Sequence, residues 1–446
     1  MPLKKIEVAQ AEIEVGQSAV QHLKDSEASA HDLCLELVKL GRNLFLIENY
    51  AEGLQYLDEG LTVAENSGDR DLLVQCLGLR ALAYDEIVRP HDAYMEVKRI
   101  YEIAEEDGND KLRCEALIRQ AQILMSSGEP EIALEQLTEA KTLAMAMSDP
   151  QLQMNVLGTL GNQSLAMNRF EQSIAYFEQA VAKAHQLADT WSACGYLINI
   201  GTVLTWMQEP SRAVQTFEHV LTLADEIDDP RVVLSSVSHL SRIYAEGGDG
   251  DRALSYADQG LEIARSLEDN NAVLMLLENK AVIYVNRGQP EQALAFLNEA
   301  VAIANQEGNT DREITLLLNL GETYLVNGDY EQSVATNQRT QKLLAGLDRP
   351  SDEVYLMGRI GIALAESGRL DEAIAQHQQV VERAQELGLS NLAGEQLCML
   401  AIAYHDQQNS AQAAAYCQQA IEIYAAAELK AEEQNARQLL AQIEAA

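Results

Sequence analysis

The sequence predicts an all-α solenoid of antiparallel helix pairs. Three observations predict it: a strict period of 40 residues, small residues that recur at fixed places in that period, and proline and glycine confined to a few columns. A frame opened at His31 and cut every 40 residues runs without insertion through ten blocks to Lys430.

Each block opens with helix A. Its eleventh column is small throughout: Gly41, Ala81, Ala121, Gly161, Gly201, Ser241, Ala281, Gly321, Gly361 and Ala401. Two helices approach closely only where side chains are small, so this column marks a helix contact. Three residues on, Tyr84, Tyr244, Tyr284, Tyr324 and Tyr404 fill the space alongside. The turn that follows carries Gly128, Gly248, Gly288, Gly328 and Gly368, where a left-handed helix end favours glycine. Helix B opens two residues later, at Pro90, Pro130, Pro210 and Pro290, because proline fits a first turn and breaks a helix interior. Helix B has its own small column, as at Ala93, Ala133, Ser173 and Ala293, and a helical apolar spacing such as Leu294, Leu297 and Val301. Pro150, Pro230 and Pro350 then close their blocks and start the next helix A.

The order of small residue, tyrosine, alanine and small residue, read in the seventh block as Ala281, Tyr284, Ala293 and Ala300, resembles the tetratricopeptide repeat (TPR). The 40-residue length, with alanine near the end of helix B at Ala64, Ala104, Ala144, Ala184 and Ala224, is similar to the longer variant in kinesin light chain, the Pins/LGN adaptors and MalT-like regulators. The resemblance covers residues 31–446. It implies a right-handed superhelical solenoid in which the A helices line a concave binding face.

The expected organisation is residues 1–30 as a capping helix plus some disordered chain, residues 31–430 as ten repeats, and residues 431–446 as a capping helix. Ile6, Ile13, Val20 and Leu23 have helical spacing but match no repeat column. Arg80, Gln120 and Lys280 stand where other blocks have Leu or Ile, and block eight carries Thr336, Asn337 and Thr340 where helix B should be apolar. That block reads either as a loosely packed repeat or as a hinge between residues 31–310 and 351–446.

Composition narrows the function. A net charge of −37 repels nucleic acid and anionic membranes and favours a basic or neutral partner. Six cysteines, none in a C-x-x-C pair, suggest reduced thiols and a cytoplasmic protein. No secretory signal pattern and no apolar run of membrane-spanning length is evident. There is no phosphate loop, no H-E-x-x-H and no G-x-S-x-G, so neither an enzyme nor a cofactor or metal is expected. Gly247–Asp251 hints at a calcium loop but coincides with the turn between helices A and B.

Carrying the family's ligand-facing columns onto this chain gives the candidate site. One column holds Arg119, Asn199, His239, Asn279, Asn319 and Arg359; its neighbour holds Asn162, Thr202 and Arg242; Asn155 and Asn286 share the face. An asparagine amide offers two donors and an acceptor, so a row of them can hold the backbone of an extended peptide. Arginine and histidine would add a mildly basic lining. Trp206 falls in a groove-facing column, to stack on a ligand or to pack between repeats. The expected function is a protein-interaction adaptor that binds a peptide or partner tail. The alternative is a MalT-like sensory module for a small ligand or an effector domain.

Overall fold

The computed structural model describes residues 3–26 and 29–445. Of residues 1–30, where a capping helix plus some disordered chain is expected, 1–2 and 27–28 lie outside the described residues. Among the described residues there are 22 α-helices and no strand. The chain divides into two compact units, residues 1–232 and 233–446.

In the first unit, α1 (Leu3–Asp25) precedes an alternation of A and B helices. The A helices are α2 (Ala30–Leu46), α4 (Arg70–Glu86), α6 (Asp110–Ser126), α8 (Pro150–Ala166) and α10 (Thr190–Trp206). The B helices are α3 (Tyr50–Ser67), α5 (Pro90–Glu106), α7 (Pro130–Met147), α9 (Phe170–Gln186) and α11 (Pro210–Ile227). The division falls inside α12 (Pro230–Glu246). The second unit continues with A helices α14 (Asn270–Asn286), α16 (Thr310–Asn327), α18 (Pro350–Glu366) and α20 (Ser390–Asp406). Its B helices are α13 (Gly250–Ser266), α15 (Pro290–Gln306), α17 (Tyr330–Leu344), α19 (Leu370–Glu386) and α21 (Ser410–Ala426), and α22 (Lys430–Ala445) follows.

From Ala30 onward a helix starts every 20 residues, half the sequence period. Most of the starts have one of two local causes. Some use a side-chain cap: Asp69 accepts from the Leu72 N–H at 3.1 Å and Asp189 from the Ser192 N–H at 3.0 Å. Others have proline in the first turn, as at Pro130 and Pro290. From Tyr50 onward the ends share one device, a left-handed residue two before every new start except Pro350. Gly128, at φ 79°, lets the Glu129 N–H reach the Leu124 carbonyl at 2.9 Å. Val88 takes the same conformation without being glycine, at φ 58°.

Between the helices the small column and one core column of helix B fit by size. A Cβ on Gly161 would stand 2.5 Å from the Phe177 ring, one on Gly201 2.6 Å from the Phe217 ring, and one on Gly361 2.6 Å from the His377 ring. Where the small residue is alanine the opposing side chain is not aromatic, as in Ala121 with Leu137 and Ala281 with Leu297. Serines add a polar stitch, Ser173 donating to the Gly161 carbonyl at 2.8 Å and Ser333 to that of Gly321 at 2.7 Å. In the second unit Leu274, Leu277, Ala281, Leu297, Ala300, Leu316 and Leu320 form one core from α14 to α16, so the core of one pair runs into the next.

The departures noted in the sequence have structural causes. Arg80 pairs with Asp58 of the preceding helix B and with Glu96 at 2.8 Å. Lys280 pairs with Asp258 at 2.5 Å, and its ammonium lies 4.3 Å from the Phe296 ring centre. Both cations replace an apolar residue and reach the same helix B position one block back. Helix α1 matches no repeat column in sequence, yet it buries Ile13 and Val20 against Leu37, Leu40 and Leu44 of α2. Block eight lies inside the second unit.

Candidate functional site

The A helices carry the candidate residues on their fifth, ninth, twelfth and sixteenth columns, which share one helix face. Beyond chain neighbours, A helices approach one another: α2 meets α4 and α6 meets α8 in the first unit, and α18 meets α20 in the second. The side chains on this face therefore converge more closely than those of the B layer.

In the first unit, Arg119 on α6 donates to Asp85 on α4 at 2.7 Å and approaches Gln122 at 3.4 Å. Asn155 is exposed on α8 and accepts from Gln151 at 3.3 Å. Asn162 is exposed, and Asn199 on α10 is half-buried. Thr202 donates its hydroxyl proton back to the Ile198 carbonyl at 2.9 Å, which leaves only its lone pairs for a ligand. Trp206 is 54% exposed at the end of α10, edge-on to Phe170 with ring centres 6.5 Å apart.

In the second unit, Arg242 approaches the His239 Nδ1 at 3.4 Å and pairs with Glu246 at 3.7 Å. Burial, and then the Arg242 charge, push the His239 imidazole down to about 4, so it is neutral at neutral pH. Asn279 is half-buried and Asn286 exposed on α14. Asn319 on α16 donates to Glu278 on α14 at 2.7 Å, and the same carboxylate receives Arg312 at 2.6 Å. Arg359 on α18 donates to Glu322 on α16 at 2.7 Å.

The row thus separates into two sets. Asn162, Asn199, Asn279 and Asn286 make no side-chain hydrogen bond among the described residues and are free to meet a ligand. Arg119, Asn319 and Arg359 tie each A helix to the one before it. The sequence reading expected a mildly basic lining. Instead Arg119, Arg242 and Arg359 are each neutralised by a carboxylate, Asp85, Glu246 and Glu322.

Sequence reasoning missed the apolar half of the face. In the second unit Met275, Val282, Val326, Tyr355 and Ile402 are exposed on α14, α16, α18 and α20, with Val282 at 50% and Val326 at 58%. They occupy the ligand-facing columns, so tracking apolar residues down those columns would have found them. A cavity of about 220 Å³ between α14 and α16 is lined by Glu278, Val282, Val285, Asn286, Asn319 and Val326, among others. A second, of about 320 Å³ between α16 and α18, is lined by Leu318, Asn319, Tyr355 and Arg359. Asn319 borders both.

The thiols carry no sign of nucleophilic chemistry. All six cysteines are free and five are buried; burial pushes Cys76 up to about 12 and Cys114, Cys398 and Cys417 up to about 11. Among the described residues no group of His, Cys, Asp and Glu side chains could hold a metal ion, and no helix is long and apolar enough to cross a membrane.

Comparison with known proteins agrees with this geometry. Residues 114–310 match the family model described as MalT-like TPR region, and residues 397–426 match that of the tetratricopeptide repeat. No curated protein matches the chain. Among solved structures it is similar to a signal transduction ATPase with numerous domains from Pyrococcus horikoshii, which carries a tetratricopeptide repeat sensor. That similarity has 13% identity and a TM-score of 0.55, and covers 86% of this chain. The chain spans 55% of the length of that structure, and the likeness shows the fold alone. Aspartyl phosphate phosphatase F from Bacillus subtilis is similar at 13% identity and TM-score 0.49, over 76% of this chain and 93% of that one. A tetratricopeptide repeat protein from Parabacteroides merdae is similar at 12% identity and TM-score 0.42, over 65% of this chain and 98% of that one. By its helix-pair period, its small-residue contacts and these matches, the chain has the fold of a tetratricopeptide-repeat solenoid, with residues 114–310 matching the MalT-like TPR region.

Proposed function

We propose that the chain is a protein-interaction module whose A face, in residues 233–446, binds an extended peptide segment of a protein partner. One observation carries the reading. Exposed apolar side chains, Met275, Val282, Val326 and Tyr355, interleave with the amides Asn279, Asn286 and Asn319 on α14, α16 and α18. An extended peptide needs both kinds of group: amides for its backbone N–H and C=O groups, and apolar hollows for alternate side chains. In the first unit, taken by itself, Asn162 and Asn199 carry the same kind of group on α8 and α10, with Asn155 and Thr202 on the same helix faces. The charge of −37 disfavours nucleic acid and anionic membranes as partners. Six free thiols suit a reducing compartment, so we place the protein in the cytoplasm. No step of this reading uses a catalytic group or a cofactor.

The test is affinity capture from source cytosol with the wild-type chain and with an Asn279→Ala, Asn286→Ala, Asn319→Ala variant of unchanged circular dichroism. Proteins held by the wild type and lost from the variant support the reading. Equal capture by both contradicts it.

A sensory module for a small ligand is the second reading, favoured by the match of residues 114–310 to the MalT-like TPR region. It requires a small molecule to raise the melting temperature and to depend steeply on two or three clustered residues. A peptide would instead spread its dependence modestly along the row.

A further inference from the structure

The sixteenth column of the A helices runs through the second unit as Asn286, Val326, Glu366 and Asp406, one residue on each of α14, α16, α18 and α20. All four are exposed. We propose that this line reads a segment bearing an aliphatic side chain with basic ones on one side of it, the aliphatic group in the cavity between α14 and α16 and the basic groups over Glu366 and Asp406. The inference rests on the reading that this face binds a peptide.

The cavity selects a neutral anchor. Its walls include Val282, Val285 and Val326, and its volume of about 220 Å³ suits a single side chain. Its carboxylates are already balanced, Glu278 by Arg312 at 2.6 Å and Glu322 by Arg359 at 2.7 Å. No net charge is left there to attract or repel. Asn286, without an internal partner, borders the cavity and can hold the backbone beside the anchor.

Beyond Arg359 the balance ends. Glu366 and Asp406 have no ion pair among the described residues, and neither has Glu395 on the same face of α20. Glu366 is the last residue of α18 and Asp406 the last of α20. The carboxyl end of a helix already carries partial negative charge, so an acid there is on the unfavourable side of the dipole. A lysine or arginine from a ligand would relieve both. The two acids lie one repeat apart on the same line as Val326, which puts both basic groups on the same side of the aliphatic one.

The test is selection of a random peptide library, displayed on phage, on the immobilised full-length chain. Three variants run beside it: Glu366→Gln with Asp406→Asn, Val326→Asp, and Glu262→Gln on the B helix α13 as a control. All of these positions are exposed, and circular dichroism checks each fold. The wild type and the control should select an aliphatic residue with lysine or arginine on one consistent side of it. The acid-to-amide variant should keep the aliphatic preference, lose the basic one, and bind a selected synthetic peptide roughly three- to tenfold more weakly. Val326→Asp should lose the aliphatic preference. If selected peptides lack basic residues, or keep them in the acid-to-amide variant, the inference fails while peptide binding stands. If the wild type selects no peptide at all, the reading beneath it fails as well.

Discussion

At the scale of single residues, the repeat is held by a size match across each helix pair. Phe217 fills the space over Gly201, where a Cβ would lie 2.6 Å from its ring. Gly201→Ala should therefore cost about 1–3 kcal/mol in chemical denaturation. Adding Phe217→Leu should recover part of that loss, because it recreates the native pairing of Ala121 with Leu137. A purely additive double variant would show that the two columns do not touch as described. His377 makes a second residue-scale case. It is buried opposite Gly361, and its Nδ1 donates to the Gln396 carbonyl oxygen at 2.7 Å. Burial pushes its imidazole below the usual value of 6.5, and the Gln396 bond offsets this only in part. The unfolded histidine takes up a proton as pH falls below about 6.5 while the folded one resists. The stabilisation is thus complete above that pH and is lost on acidification. His239, pushed down to about 4, acts in the same direction between 6.5 and 4. The melting temperature should fall between pH 7 and pH 5, and fall less in His377→Leu. An equal fall in both would exclude His377 as a source.

At the scale of elements, α17 is the irregular one. It spans 15 residues where its neighbours span 17 or 18, and no left-handed residue stands two positions before the next start. Its polar residues are nonetheless buried. Thr340 donates to the Thr336 carbonyl at 3.0 Å, and Ser333 bonds the facing helix. These two hydroxyls are thus satisfied on backbone, and a polar sequence makes a packed helix face. Asn337 is the exception: it packs against Gly321, and its side-chain oxygen has no partner. Asn337→Leu, which reproduces the native pairing of Leu57 with Gly41, should stabilise the chain by about 1–2 kcal/mol in urea unfolding. Destabilisation would mean that the amide carries a bond or a role of its own. The regular elements were legible in the sequence because caps, small columns and punctuation all repeat. The buried polar face of α17 was not, since a threonine reads as exposed until its hydroxyl is seen to bond its own helix.

At the scale of the molecule, the chain is two units built by one rule, each with a core that continues from pair to pair. The solenoid could be read from period alone, because every block repeats the same steric requirements. The site could be read only in part. The family's ligand-facing columns, carried onto this chain, pointed to the amides, and asparagine in a helix interior is unfavourable, so its recurrence asks for a cause. The pairs that neutralise Arg119 and Arg359 join residues 34 and 37 apart, and a column analysis cannot see across that distance. The exposed valines were missed because one apolar residue in a helix reads as core until its neighbours are placed. On the proposed reading, α14, α16 and α18 present a peptide-binding face. Hydrogen exchange of the full chain, with and without a captured partner, tests it most directly. Bound partner should protect the exposed A-face backbone of these three helices most and leave α13, α15 and α17 nearly unchanged. Protection centred on those B helices, or absent from α14 and α16, would contradict the claim.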